Sequence, residues 1–137
     1  MKLPYGIADF PRLRRDGHVY VDRTAHIATF EDLGDSLLFA RPRRFGKSLW
    51  LQTLAAYYDL GRKDQHEELF GDLAAGREPT PLAHRFFILK WNFSVIDPLG
   101  AGAADPVAGI AAELDDYVIS TVEVFLRYYR DLLAELL

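Results

Sequence analysis

The sequence has no cysteine at all. That excludes a disulfide scaffold, a thiolate zinc site and a cysteine nucleophile. It also lacks any uncharged apolar run approaching the ~18 residues of a membrane-spanning helix, so no transmembrane segment is expected. The opening stretch, Met1 to Gly6, carries no apolar signal core, and a cytoplasmic location is the default expectation. Internal repeats and low-complexity tracts are missing as well. What is there has globular proportions: 137 residues, 50% hydrophobic and 26% charged, with seven Tyr, nine Phe and two Trp as core material. A chain of this length and make-up is expected to form one domain with a sizeable core.

The net charge of -4 argues against a dedicated nucleic-acid surface, but the charge is unevenly spread. Residues 1–48 hold nine Lys/Arg against six Asp/Glu, whereas residues 49–137 hold seven against fourteen. The basic excess peaks at Arg41, Arg43, Arg44 and Lys47. A compact cationic cluster suits a phosphate-sized ligand better than a long duplex.

Three stretches organise the chain: a lead-in over 1–35, a core over 36–95 and a helical segment over 106–137. In the lead-in, Asp16-Gly17 is a turn signal followed by a short strand candidate, His18 to Val21. Asp22 stands where an N-cap would, before a helix from Thr24 to Asp32 that Gly34 ends. Ser36 to Ala40 is a nearly continuous apolar run of the kind found in strands buried on both faces of a parallel sheet. A helix opens at Gly46-Lys47-Ser48, with Leu51, Leu54, Ala55 and Tyr58 as its apolar face and Gly61 as its stop. A short helix is expected from Lys63 to Phe70, a loop from Gly71 to Pro81 and a second strand over Phe86–Phe93. Asp97 to Asp105 reads as a connection. Beyond it, apolar residues from Val107 through Val118, Val122, Phe125 and Tyr129 to Leu136 recur at helical steps, with a break expected in the β-branched run Val118–Val122.

One segment carries chemistry. A strand candidate, the loop Arg41-Pro42-Arg43-Arg44-Phe45-Gly46-Lys47-Ser48 and a helix follow one another, as in the phosphate-binding pattern G-x-x-x-x-G-K-[ST], with Arg41 in place of the first Gly. A loop wrapped on a helix N-terminus aims several backbone N–H groups at one spot. Gly46 lets the main chain approach an anion without a Cβ in the way. Lys47 would reach β- and γ-phosphates, Ser48 would place its hydroxyl on Mg²⁺, and Arg43 and Arg44 would add positive potential. The plainer alternative is a charged surface turn before an amphipathic helix.

Other groups read as structural. His18, His26, His66 and His84 show no metal-ligand spacing. Arg12, Arg14 and Arg15 flank a solvated turn. Glu67-Glu68 and Asp115-Asp116 are neighbours in helical patterns, about 100° apart, and do not form catalytic pairs. Asp22 reads first as a helix cap and second as a nucleotide contact.

The string Ala40 to Leu49, with R-P-R-R-F-G-K-S at its centre, resembles the phosphate loop of the AAA-ATPase-like proteins. Three further segments are similar to that family: Leu3 to Phe10 to its P-x-G-x-x-D-F opening, Tyr20-Val21-Asp22-Arg23-Thr24 to its Y-V-D-K-T motif, and Ile88 to Ser94 to its strand ending in D-F-S. The resemblance spans nearly the whole chain. It implies a P-loop NTPase-like three-layer α/β/α fold, here cut short and followed by a long helical segment, that binds ATP with Mg²⁺. Full-length members often continue into a PD-(D/E)XK nuclease-like domain, so nucleic acid would be met only indirectly, through a domain absent here. The family's later I-D-E-Y-D strand, its Walker B, has no counterpart in this sequence, and Asn92 stands where many members have Asp. Two functions follow: an AAA-like ATPase, or a non-hydrolysing nucleotide-binding or interaction module that lacks Walker B. A sheet cut off in this way is expected to be covered by the C-terminal helix, or completed by self-association or a partner chain.

Overall fold

The computed structural model describes residues 2–4, 6–42, 44–97 and 105–136. It divides into two compact units, Met1–Phe87 and Ile88–Leu137. Tyr5, Arg43 and most of the connection read between Asp97 and Asp105 lie outside the described residues.

The first unit begins with α1, Phe10–Arg15. The Asp9 side chain accepts from Arg12 N–H at 3.0 Å, and Pro11 sits in the first turn, where its missing donor is not needed. The Asp16-Gly17 turn forms as the sequence implies, with Gly17 at φ +67°, a left-handed conformation that glycine adopts without strain. Thr24–His26 is a 3₁₀ turn that runs into α2, Ile27–Asp32. Then come α3 (Lys47–Tyr58), a 3₁₀ turn over Leu60–Gln65, α4 (His66–Phe70) and α5 (Ala74–Arg77). The last two show that the short helix ending at Phe70 is real, and that the expected loop over Gly71–Pro81 contains a helical turn.

The core is aromatic. Phe10 of α1 meets Phe70 of α4 with ring centres 5.0 Å apart, and Tyr57 of α3 meets Phe70 edge-on at 5.4 Å. Ile27, Trp50, Ala56, Leu69, Leu73 and Ala75 close around them. The buried face of α3 is therefore Trp50, Thr53, Ala56 and Tyr57, not the expected Leu51, Leu54, Ala55 and Tyr58. Leu51 is exposed, and Leu54 and Tyr58 pack at the edge. Apolar residues lie on nearly every side of this helix, so periodicity alone does not select a face, and the bulkier Trp and Tyr take the core. Nor does Gly61 stop the helix. It ends at Asp59, which turns extended and accepts from Gly61 N–H at 2.9 Å.

The expected three-layer α/β/α arrangement does not form. Among the described residues there is no strand, only two isolated parallel bridges, Lys2 with His18 and Asp59 with Phe86. A buried parallel strand needs a hydrogen-bonded neighbour along its length. Ser36–Ala40 has none; Leu38 is 97% exposed, and Phe39 alone packs against the core. Phe86–Phe93 forms a ladder only at its start: Phe86 N–H donates to Tyr58 and Leu60 N–H donates to Phe86, at 3.0 and 2.9 Å. His18–Val21 likewise contributes a single bridge, with Val19 N–H donating to Lys2.

Asp22 is a cap, but for a distant helix as well as its own turn. One carboxylate oxygen accepts from Thr24 N–H and Thr24 Oγ1 at 2.8 and 2.6 Å; the other accepts from Ala74 N–H at 2.8 Å. Thr24 Oγ1 in turn accepts from Ala75 N–H at 3.0 Å. Two residues of the Y-V-D-R-T string, Asp22 and Thr24, thus satisfy two orphan donors at the start of α5. Burial pushes the Asp22 carboxyl upward, but the hydrogen bonds from Thr24 and Ala74 outweigh it, and its pKa is lowered. Replacing Asp22 by Ala is expected to cost about 1–2 kcal/mol, the usual range for a lost cap. Urea unfolding of the two proteins checks this, and an unchanged midpoint would contradict it.

The second unit is a helix with a strap along it. Asp105 caps α6, Pro106–Tyr128, by accepting from Val107 N–H at 3.0 Å, and α7, Arg130–Leu136, follows. Segment 88–97 runs antiparallel beside α6. Ile88 N–H donates to the Tyr129 hydroxyl at 2.8 Å, Asn92 N–H donates to the Tyr117 hydroxyl, and Asp97 N–H donates to Glu113 at 2.9 Å. Trp91 and Phe93 both set their rings against Tyr117. The apolar stripe read from sequence is the half-buried face at Ile110, Val118, Val122 and Phe125, while Val107 and Leu136 at its ends are exposed. The break expected at Val118–Val122 falls instead at Tyr129, the buried ring held against Phe125 and Tyr128. β-Branched residues cost a helix only tenths of a kcal/mol each, less than packing a continuous face returns.

Candidate functional site

The loop 41–48 stands out from the first unit. Gly46 is the N-cap of α3, with φ +74° and ψ 18°, and Arg44 is also left-handed at φ +69°. A left-handed non-glycine is uncommon and locally strained. Nothing lies within 4 Å of where a Gly46 Cβ would sit, so the cap opens onto free space. The first N–H groups of α3 have no intrahelical acceptors. Lys47 and Ser48 are the first two helical residues, and both are exposed. Arg41, Pro42 and Phe45 are exposed too, with the Arg41 guanidinium 5.2 Å from the centre of the Phe39 ring. Arg43, expected to add positive potential, lies outside the described residues.

Three clefts meet around this loop. The first is lined by Arg23, His26, Phe30, Phe39, Arg41 and Gly46, with Trp50 at its base. The second, which shares Gly46 with the first, is lined by Tyr20, Val21, Arg23, Arg44, Leu49 and Trp50. The third holds Lys47 and Ser48 against an apolar wall of Leu37, Phe39, Trp50 and Leu54. No carboxylate lines any of the three among the described residues. The loop's cations therefore keep their potential for an external anion. Asp22, the nearest acid in sequence to Arg23, is committed to Thr24 and α5. Tyr20 has its pKa raised by burial, against the effect of its hydrogen bond with Thr53, so it stays a neutral phenol in the cleft wall.

Sequence reasoning placed the loop and missed Arg23, His26 and Trp50. Arg23 was visible inside the Y-V-D-R-T string, but the fold alone brings it beside a loop more than fifteen residues away. Glu67-Glu68, the paired acids of this unit, line none of the three clefts. Glu68 lies in α4 beside Arg15, and no group of three or more His, Asp or Glu able to hold a metal exists among the described residues.

Two of the four histidines, His66 and His84, form a pair that lines none of these clefts. His66 Nδ1 and His84 Nε2 are 2.7 Å apart, and His84 Nδ1 lies 3.0 Å from the Asp59 carbonyl oxygen. Burial, then the neighbouring His84, lowers the His66 pKa below its ordinary 6.5, with Glu67 pulling the other way. The unfolded chain therefore binds this proton more readily, and folded stability must fall as pH drops below about 6.5. Thermal melts at pH 7.5 and 5.5 should show a drop that His66→Gln reduces. Equal pH sensitivity in both proteins would contradict this.

Comparison with known proteins supports a family. The model of a family described as "Predicted AAA-ATPase" matches residues 4–129. A protein of Azotobacter chroococcum mcd 1, described as "Uncharacterized protein in vnfD 5'region", is 45% identical over 58 residues. That match covers 42% of this chain and 11% of the relative, so the chain spans about a tenth of that protein's length. No solved structure matches.

Proposed function

The chain belongs to the AAA-ATPase-like family, and we propose that its loop Arg41–Ser48 binds the phosphates of ATP. The observation that carries this reading is the opening of α3: a left-handed Gly46 with free space above it, followed by exposed Lys47 and Ser48, in surroundings rich in cations. Oriented backbone N–H groups and the positive end of a twelve-residue helix favour an anion there. Lys47 is the point charge for the β- and γ-oxygens, and Arg41 and Arg44 neutralise the rest of the triphosphate.

The residues present fit Mg²⁺ only as part of a nucleotide complex. The exposed Ser48 hydroxyl supplies one oxygen ligand, and the phosphates and water supply the others. Bound in this way, the ion would neutralise phosphate charge. A module that binds nucleotide without turning it over is the second reading, favoured by the absence of any carboxylate from the three cleft walls among the described residues. Titration calorimetry of the protein with ATP, with and without Mg²⁺, tests the binding reading. Saturable heat supports it, and no heat at millimolar ATP overturns it. A phosphate-release assay on the same sample separates the two readings.

A further inference from the structure

We propose that Arg23, which the phosphate loop does not contain, is an anion-contacting residue of the same site, gripping the nucleotide's polyphosphate beside the loop. This rests on the proposed binding by Arg41–Ser48 and extends it to a residue of the lead-in segment. Three observations point to Arg23. First, it lines both clefts that Gly46 also lines, with Arg41 in one and Arg44 in the other, so its charge joins the loop's in each. Second, its backbone is anchored on either side. Asp22 is tied to Ala74 and Thr24 to Ala75, each through its side chain. Residue 23 therefore starts from a fixed Cα, and holding its side chain on an anion costs less entropy than from a loose loop. Third, the neighbouring carboxylate is spent. All three Asp22 hydrogen bonds go to Thr24 and Ala74, and neither cleft wall contains an acid among the described residues.

Trp50 adds an independent sign that these clefts are built for a ligand. It lines both, is only 8% exposed, and its Nε1 has no hydrogen-bond partner among the described residues. A buried N–H without an acceptor is rare and costly in a finished interior. It is less anomalous beside a cleft that an acceptor-rich group fills. A guanidinium presents its donors as a rigid fork that matches phosphate oxygens, so Arg23 suits a polyphosphate better than a single carboxylate.

The test uses the full chain and two probes, inorganic tripolyphosphate and ATP, with Mg²⁺ left out, read by titration calorimetry at two salt concentrations. Arg23→Ala is expected to weaken both probes by about tenfold or more and to flatten the salt dependence, as loss of one charge-assisted contact should. Arg23→Lys is expected to recover part of the affinity. Melting temperature and far-UV circular dichroism should stay at the parent values, because the side chain is exposed. If Arg23→Ala binds as the parent does while Lys47→Ala loses binding, Arg23 plays no part and the loop reading stands. If the parent binds neither probe, both fail. If Arg23→Ala loses binding together with its fold, the role is structural and the proposal is overturned.

Discussion

Lys47→Ala should lower affinity for ATP and for tripolyphosphate by roughly 10- to 100-fold, the ~1.5–3 kcal/mol of a hydrogen bond to a charged group. The fold should not notice. Lys47 is exposed at the first position of α3, its stem leaves no cavity, and surface changes of this kind stay within about 0.5 kcal/mol. The same change removes a cation from the helix N-terminus, where positive charge is unfavourable, so stability should hold or rise slightly. Ser48→Ala separates the roles: it should spare tripolyphosphate without metal and weaken the gain in ATP affinity that Mg²⁺ brings. Calorimetry on the three proteins decides the matter. Undiminished ATP binding by Lys47→Ala would remove the loop from the site.

Gly76→Ala should destabilise the first unit by about 1–3 kcal/mol, the range for overpacking a close contact. In an ordinary helix the change would help, since alanine is worth up to ~1 kcal/mol over glycine. Here a Cβ on Gly76 would run into the Phe70 carbonyl at the end of α4, and the obstacle is backbone that cannot swing aside. Phe70 itself is fully buried against Phe10 and Tyr57, so a shift of α4 would open the core. The expected drop in melting temperature is several degrees for a domain of this size. A variant at least as stable as the parent would show that α4 and α5 lie farther apart than described.

The sequence suggests Asp22 as the N-cap of a helix from Thr24, but Arg23 holds that position and Asp22 instead accepts from Thr24 N–H one residue further in. What it caps is decided elsewhere: Ala74, fifty-two residues on, has no signature that names its partner. Arg23 next to it looks like any surface arginine until folding sets it beside Gly46.

Local chemistry settled a good part of this protein in advance. The turn at Asp16-Gly17, the helix opening at Gly46-Lys47 and the long C-terminal helix all depend on groups within a few residues of one another, and each is where the sequence puts it. The family is legible for the same reason, since its motifs are contiguous strings. The expected sheet was not legible. An apolar run such as Ser36–Ala40 has the composition of a buried strand, yet a strand exists only if another segment supplies donors and acceptors along its edge, and none among the described residues does. The face of α3 and the break in the C-terminal helix were likewise left to packing. Trp50, Tyr57 and Tyr129 go inside because large rings bury the most apolar area and find a fitting neighbour, and which neighbour that is depends on residues far along the chain.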